Sequence, residues 1–277
     1  MSLANKYVII TGATSGIGKE AAMALARENA HIVLPVRNLE KGEKVKKEIG
    51  QHYGNPFIYI MECDLASFDS IRSFAREYKN RFGKLNILIN NAGIWETQRK
   101  ETKDGIEKNF GVNHLAPFLL TNLLLDELKA VDFARIINIS SEAHRHSKFD
   151  FDDPEGKKKF SSFKSYGQSK LANILFTRYL SNLVRDDSLT VNCLHPGVVA
   201  TNLFDKMNPF LKSVFSFFMV SPRKGAETTI YLATSPEIKG QTGEYFVKRK
   251  IKRPSSAALD DEAAKKLWEI SCDYTGL

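Results

Sequence analysis

Short apolar segments alternate with longer stretches of helical periodicity along most of the chain. Six apolar runs, each a few residues long, lie between positions 6 and 195: KYVIIT, HIVLPV, FIYIME, LNILIN, RIINIS and LTVNCL. Such runs are typical of strands that are buried on both faces, as in a parallel sheet with helices on each side. The repeated order of strand, helix and strand therefore predicts an α/β fold, a doubly wound parallel sheet with helices on both faces.

The C-terminal part continues this pattern. An apolar segment, GEYFV at 243–247, predicts one more strand at the sheet edge, and a helix is predicted before it from about Arg223 to Ala233. The chain contains no proline–glycine linker and no break in composition. Residues 1–277 are therefore predicted to form a single domain.

One segment, MNPFLKSVFSFFMV at 207–220, stands apart because it is strongly apolar and aromatic. One interpretation is a mobile lid over 205–222 that covers an apolar substrate. An equally good interpretation is a helix that packs its aromatic side chains onto the domain. Basic residues flank the segment, and this arrangement also suits shallow contact with a membrane interface.

The composition is that of a folded protein with a basic surface. Hydrophobic residues make up 43% and charged residues 26% of the chain. The formal charge of +8 is spread along the sequence and interleaved with acids. This pattern favours a surface suited to anionic cofactors or lipid headgroups over a nucleic-acid interface. The three cysteines show no CxxC spacing and the histidines no metal-ligand spacing, so we expect a reducing compartment and no metal site.

Targeting signals are not evident in the sequence. The N-terminal residues, MSLANKYVIITG, reach the first strand without the basic and apolar regions of a signal peptide. No stretch approaches the roughly 20 apolar residues that span a bilayer. We therefore expect a cytoplasmic protein, at most peripheral to a membrane.

A glycine-rich loop, TGATSGIGKE, joins the first predicted strand to the first helix. Its glycines, Gly12, Gly16 and Gly18, allow a sharp turn and bring backbone N–H groups close to a pyrophosphate, which the positive end of the following helix also attracts. Glycines that serve only a tight turn are the simpler alternative. The position between strand and helix favours a dinucleotide site.

The end of the second strand carries information about which dinucleotide is bound. An NAD site often places a carboxylate here against the ribose 2′-hydroxyl, but this strand ends in Val36 and Arg37. Arg37 is suited to clamp a 2′-phosphate, with Lys19 and Lys41 as further candidates, so NADP(H) is predicted. The alternative is that Arg37 is a solvated charge.

The third and fourth strands end in further candidates for cofactor contacts. Asp64 is placed to accept a hydrogen bond from the adenine amino group, while Leu65 packs on the ring. Asp64 is equally well interpreted as a loop residue, with Ser67 capping the next helix. The fourth strand ends in NNAG at 90–93, which suits a backbone close to a ribose or an ordinary turn.

The fifth strand and the following helix carry the candidate catalytic groups. Ser140 and Ser141 follow the strand at the ligand-binding edge of the predicted sheet, and Tyr166 lies one helical turn before Lys170. If the helix packs beside the strand, Tyr166 can donate a proton to a carbonyl oxygen while Ser141 hydrogen-bonds it. We expect the Lys170 ammonium to lower the pKa of Tyr166. A core tyrosine and a surface lysine are the alternative.

Five ordered motifs, TGATSGIG, NNAG, NISS, YGQSK and LHPGVVAT, make the chain resemble the short-chain dehydrogenases/reductases. The resemblance implies a catalytic tetrad of Asn113, Ser141, Tyr166 and Lys170, in which Asn113 holds a water in a proton relay. The motifs and the resemblance together predict cofactor contacts at Gly12, Ser15, Gly16, Ile17, Gly18, Arg37, Asp64, Leu65, Asn91, Ala92, Gly93, Tyr166, Lys170, Pro196, Gly197, Val198 and Thr201.

Longer stretches, including GVNHLAPFLLTNLLL and HPGVVATNL, resemble the retinol dehydrogenase branch of that family. The resemblance implies an NADP(H)-dependent oxidoreductase that interconverts a lipophilic alcohol and its aldehyde or ketone, with retinol and retinal as the named pair. Family members often pair through the helices that carry Asn113 and Tyr166, but single chains also exist, so the resemblance leaves a homodimer and a monomer open. The alternatives are a reductase of another apolar carbonyl, or an NADPH-binding sensor or scaffold with little catalysis.

Overall fold

A computed structural model describes residues 2–184, 188–199 and 220–277 of the chain. Its described residues contain a sheet of eight strands in the order β3-β2-β1-β4-β5-β6-β7-β8, in which only β8 runs antiparallel to its neighbour. The strands are β1 Tyr7–Ile10, β2 His31–Val36, β3 Ile58–Glu62, β4 Ile87–Asn90, β5 Ala134–Ile139, β6 Leu189–His195, β7 Tyr245–Val247 and β8 Lys250–Ile251. The predicted doubly wound parallel sheet is confirmed, including the late strand.

Helices cover both faces of the sheet. They are α1 Gly16–Ala26, α2 Leu39–Tyr53, α3 Phe68–Phe82, α4 Lys108–Phe110, α5 Ala116–Leu123, α6 Leu125–Lys129, α7 Ser162–Leu183, α8 Pro222–Thr234 and α9 Asp261–Thr275. A π-helical turn, Gly111–Leu115, joins α4 to α5, and short 3₁₀ turns lie at Glu142–His146, Pro236–Ile238 and Ser256–Leu259. The helix predicted near Arg223–Ala233 is α8.

The core is divided by the sheet because successive strand residues point to opposite faces. In β1, Val8 and Ile10 pack with α1, α2 and α8, whereas Ile9 packs on the other side with α3, α5 and α7. This arrangement explains the unbroken apolar runs of the sequence: both faces of each central strand are covered.

The long helix α7 lies beside β5 and β6 and is covered by α9. It begins one turn before Tyr166, where the Ser161 side chain accepts a hydrogen bond from the Lys164 N–H at 3.5 Å. The buried Ser140 hydroxyl donates to the Lys170 carbonyl at 2.7 Å and ties the end of β5 to this helix. The expected packing of the Tyr166 helix beside the fifth strand is therefore found.

The predicted lid at 205–222 lies outside the described residues except for its last three. Val199 and Val220, on either side of the gap, form a parallel bridge, and the Val220 N–H donates to the Val198 carbonyl at 2.8 Å. Among the helices of the described ranges, none combines the length and apolarity needed to cross a bilayer.

Candidate active site

Among the described residues, a cleft of about 990 Å³ lies at the carboxyl edge of the sheet. Its lining comes from the ends of β1 to β6 and from α7. The chain fills the sheet in one direction through β1, β2 and β3 and in the other through β4, β5 and β6, so the cleft straddles the point where the strand order reverses. Open parallel sheets bind ligands at this point.

The glycine loop after β1 approaches the loop after β4 too closely for larger residues. Gly12 has a positive φ of 67°, and a Cβ at this position would lie 2.8 Å from the Ala92 Cα. A Cβ at Gly18 would overlap the Asn91 side-chain nitrogen and lie 2.6 Å from the Gly12 carbonyl oxygen. These two glycines are therefore required by the packing of the loops as well as by the turn.

Thr11 joins the same two loops, and the sequence analysis did not select it. Its hydroxyl oxygen accepts hydrogen bonds from the backbone N–H groups of Asn91 and Ala92, both at 3.0 Å. The Asn91 side chain in turn donates to the Thr11 carbonyl at 2.8 Å. The threonine directly before Gly12 was visible in the sequence, but its partners lie about 80 positions away.

The phosphate end of the cleft fits a dinucleotide. The N-terminus of α1 borders the cleft, and Ser15, its N-cap residue, makes no side-chain capping bond, which leaves the first N–H groups of the helix for a ligand. Gly16 and Ile17 line the cleft beside it. The donors present and the positive helix end match the chemistry of a pyrophosphate.

Basic side chains at the end of β2 face the same cleft. Arg37 and Lys41 line it, and within the described parts of the chain neither forms an ion pair. Lys19 instead pairs with Glu48 at 2.7 Å and is not among the residues that line the cleft, so its role at the phosphate remains a prediction. Arg37 and Lys41 are therefore the basic groups that border this end of the cleft without an ion pair in the described residues.

Asp64 and Leu65 line the cleft as predicted, but the carboxylate already has partners. Asp64 accepts from the Ala66 N–H at 3.1 Å and pairs with Lys103 at 3.0 Å. Burial raises the pKa of Asp64, but these two contacts outweigh it and the net pKa is lowered. The alternative role of Ser67 is also found, since its hydroxyl caps α3.

The residues predicted to contact the nicotinamide half also border the cleft. Asn91, Ala92 and Gly93 line it after β4, and Pro196, Gly197 and Val198 line it after β6. Gly197 has a positive φ of 93°, a conformation that favours glycine. Thr201 lies outside the described residues.

Ser141, Tyr166 and Lys170 meet in this cleft. The Ser141 side chain interacts with the Tyr166 hydroxyl in the sense that lowers the pKa of the phenol, and the Lys170 ammonium lies 5.6 Å from the centre of the Tyr166 ring. Lys170 also donates to the Ile139 carbonyl at 3.3 Å. The structure thus brings together a proton donor, a hydroxyl that can share the same oxygen, and a buried amine.

Asn113 lies behind this group, in the π-helical turn. Its Oδ1 accepts from the Ile94 N–H at 2.8 Å, and its Nδ2 donates to the Ile94 carbonyl at 2.9 Å and to the Ser169 hydroxyl at 3.0 Å. The position of a Cβ on Gly93 would be 3.6 Å from Asn113 Oδ1 and 3.2 Å from Lys170 Nζ. Asn113 thus holds the loop after β4 against the catalytic helix, and its water-holding role remains a prediction.

The protonation of Tyr166 and Lys170 differs from the sequence-based expectation. Burial raises the pKa of Tyr166 to about 12, although the Ser141 side chain opposes this shift. Burial also lowers the pKa of Lys170 to about 8. The expected lowering of the tyrosine pKa is therefore wrong for the unliganded protein, because removal from water disfavours both charged forms.

His144 fixes the turn that carries Ser141. Its ring is fully buried; Nδ1 lies 2.6 Å from the Ser141 carbonyl oxygen, and Nε2 lies 3.1 Å from the Ser255 backbone nitrogen. Since the Ser255 N–H must donate, Nε2 is the acceptor and Nδ1 carries the proton. Burial lowers the pKa of His144, which agrees with a neutral ring.

Trp95 forms an aromatic wall beside Tyr166 that the sequence analysis did not select. The two rings stack at a centroid distance of 5.0 Å and an interplanar angle of 18°. The indole N–H donates to the Ser162 hydroxyl at 2.6 Å, and this hydroxyl donates to the Glu96 carbonyl at 2.8 Å. Trp95 follows NNAG by two positions, but only the position of α7 shows what it contacts.

Potential metal ligands at the cleft are not clustered in the described residues. Across the described ranges, no three His, Cys, Asp or Glu side chains are grouped so that they could hold a metal ion. The polar side chains that line the cleft include hydroxyl, amine and guanidinium groups as well as the carboxylate of Glu142 and the imidazoles of His146 and His195.

Comparison with known proteins places these residues in context. The sequence model described as short chain dehydrogenase matches residues 6–212. Retinol dehydrogenase 13 of Mus musculus is 42% identical, over 100% of this chain and 85% of its own length. The short-chain dehydrogenase TIC 32 B, chloroplastic, of Brassica napus is 41% identical, over 95% of this chain and 86% of its own. A solved structure, titled as a putative uncharacterized protein from Mycobacterium paratuberculosis, is 31% identical with a TM-score of 0.80, and the match covers 99% and 95% of the two chains.

Proposed function

This chain belongs to the short-chain dehydrogenase/reductase family, and from that premise we propose that it interconverts a lipophilic alcohol and its aldehyde or ketone with NADP(H). The observation that carries the proposal is that Ser141, Tyr166 and Lys170 line the same cleft as the glycine loop. One cleft thus contains groups suited to a dinucleotide and groups suited to a carbonyl oxygen.

NADP(H) is supported by the charges at the end of β2. Arg37 lines the cleft without an ion pair in the described ranges, and the strand ends without a carboxylate that would repel a 2′-phosphate. Guanidinium groups bind phosphate through two parallel hydrogen bonds. We therefore expect NADPH to be used with higher catalytic efficiency than NADH.

Proton transfer is assigned to Tyr166. When bound, the reduced cofactor supplies the hydride that a carbonyl carbon accepts. The Tyr166 hydroxyl donates the proton to the carbonyl oxygen, and the Ser141 hydroxyl stabilises the negative charge that develops on this oxygen. Because burial raises the pKa of Tyr166 to about 12, the phenol holds its proton near neutral pH, and this favours the reductive direction.

The lipophilic substrate is supported by the cleft and by the relatives. Ile94, Trp95 and Phe163 add apolar surface next to Tyr166. A relative with 42% identity is named a retinol dehydrogenase, whereas TIC 32 B, at 41% identity, is named only as a dehydrogenase. We propose retinal as the first substrate to test and another apolar aldehyde or ketone as the alternative.

The test is NADPH consumption with all-trans-retinal, a medium-chain aldehyde and a small ketone, for the wild type and for Tyr166→Phe. We expect turnover of the long apolar aldehydes that is lost in Tyr166→Phe, while NADPH binding is retained because the phenol hydroxyl is the only group removed. Turnover that survives in Tyr166→Phe would refute the assigned proton donor. Tight NADPH binding without turnover of any carbonyl would instead favour a cofactor-binding sensor or scaffold.

A further inference from the structure

The indole of Trp95 is held in one orientation at the catalytic tyrosine. One face stacks on the Tyr166 ring, and the hydrogen bond to Ser162 fixes the ring about its own axis. Ser162 is itself held by the Glu96 carbonyl. The indole is only partly buried, and its remaining surface borders the cleft. Trp95 is therefore a rigid wall of the site.

A second aromatic side chain extends this wall. Phe163, three positions before Tyr166 on α7, meets the Trp95 ring at 6.3 Å and 60° and remains 49% exposed. Both rings border the cleft together with Ala143 and His146. A carbonyl compound whose oxygen reaches the Tyr166 hydroxyl would therefore lie next to this aromatic surface.

Resting on the proposed function, we infer that Trp95 is a specificity-determining residue that makes the enzyme prefer flat, conjugated carbonyl compounds over saturated ones of the same length. A planar polyene or aryl group presents its face or edge to a fixed indole without bending. Aromatic pairs contribute about two- to tenfold in binding beyond the area they bury. A saturated chain gains only the area term and loses more rotational freedom when it is ordered.

The experiment compares matched carbonyl pairs: cinnamaldehyde with 3-cyclohexylpropanal, and trans-2-decenal with decanal. For each protein the ratio of kcat/KM for the conjugated and the saturated member is divided by the wild-type ratio, so that intrinsic reactivity cancels. We expect this quotient to fall about two- to tenfold in Trp95→Leu and to stay near one in Trp95→Phe, which keeps an aromatic ring. Trp268→Phe is the control, because Trp268 packs against Phe118 and Tyr179 away from the cleft.

A second readout separates this inference from the proposed function. The chain has two tryptophans, so in Trp268→Phe the remaining fluorescence comes from Trp95. Trans-β-ionone and its saturated analogue, titrated into the NADPH-loaded protein, report binding without requiring turnover. We expect the conjugated ketone to quench Trp95 and to bind about two- to tenfold more tightly than the saturated one.

Three outcomes decide between the interpretations. An unchanged quotient in Trp95→Leu, or an equal loss for both members of each pair, would overturn the inference and leave Trp95 with a structural role. Absence of turnover in the wild type would reject the proposed function, and the fluorescence titration would still test Trp95. If Trp95→Leu does not fold, as judged by circular dichroism, equal affinity for the two ketones in Trp268→Phe overturns the inference.

Discussion

Replacing Lys170 with methionine is expected to stabilise the unliganded protein at pH 7 and to abolish turnover. The lysine is 3% exposed, and burial lowers its pKa from 10.5 to about 8. Since one pKa unit corresponds to about 1.36 kcal/mol, keeping this ammonium charged inside the protein costs about 3 kcal/mol. Methionine is also unbranched and has no charge to desolvate.

The substitution loses one favourable contact. Lys170 donates to the Ile139 carbonyl at 3.3 Å, and such a bond contributes about 1 kcal/mol. The carbonyl is not left without a partner, because the Asn173 side chain also donates to it at 3.1 Å. The expected net gain in the free energy of unfolding is therefore about 2 kcal/mol.

The gain must depend on pH in a defined direction. Between pH 8 and 10.5 the folded wild type has lost the Lys170 proton while the unfolded chain still binds it. The contribution of Lys170 to wild-type stability therefore rises with pH across this window. The advantage of Lys170→Met should be complete below pH 8, should vanish near pH 9.5, and should become a loss of about 1 kcal/mol near pH 10.5, where only the missing hydrogen bond remains.

Urea unfolding of the cofactor-free proteins at pH 7 and pH 9.5 measures this difference. Lys265→Met is the matched control, because Lys265 also lies on a helix but is exposed, and its stability should differ little from wild type at either pH. A Lys170→Met protein that is less stable than wild type at pH 7 would refute the reasoning. A stability difference that is equal at the two pH values would also refute it.

Three further substitutions test the cofactor and catalytic groups. Arg37→Ala should lower kcat/KM for NADPH by about 10- to 100-fold, because hydrogen bonds to a charged phosphate are lost, and should leave kcat/KM for NADH unchanged. Equal losses for both cofactors would contradict a 2′-phosphate contact. Gly18→Ala should lower Tm and weaken NADPH binding in a titration, because a Cβ at this position has no space. Gly50→Ala is its control: Gly50 lies on α2, and a Cβ there would have no atom within 4 Å, so the free energy of unfolding should rise by about 0.5–1 kcal/mol. His144→Phe should release Ser141 and therefore lower kcat more than it raises KM. His144→Asn should recover part of kcat, because its amide nitrogen can replace Nδ1. Equal activity of the two variants would argue against this positioning role.

Much of the fold was predictable because its causes are local. The apolar runs predicted β1 to β6, and the segment at 243–247 predicted β7, since strands covered on both faces require continuous apolar residues. The π-helical turn at Gly111–Leu115 was not predicted. No local pattern in the sequence distinguishes that turn from the α-helix around it.

The candidate site was predictable only as separate motifs. Each motif lies at the carboxyl end of a strand, so a parallel sheet brings them to one edge, and the structure places Ser141, Tyr166 and Lys170 there. Thr11, Trp95 and His144 were not assigned these contacts from sequence. Their partners are distant in the chain and identifiable only after the helices have packed.

The sequence by itself determined the α/β class, the glycine loop, the missing carboxylate after β2 and the candidate reacting groups, because periodicity and residue chemistry are properties of neighbouring positions. The tertiary structure alone decided in which direction the pKa values of Tyr166 and Lys170 shift. Burial raises the pKa of Tyr166 and lowers that of Lys170, in contrast to the lowering of the tyrosine pKa expected from their spacing. Desolvation depends on every atom packed around a group, and the order of residues along one helix does not contain that information.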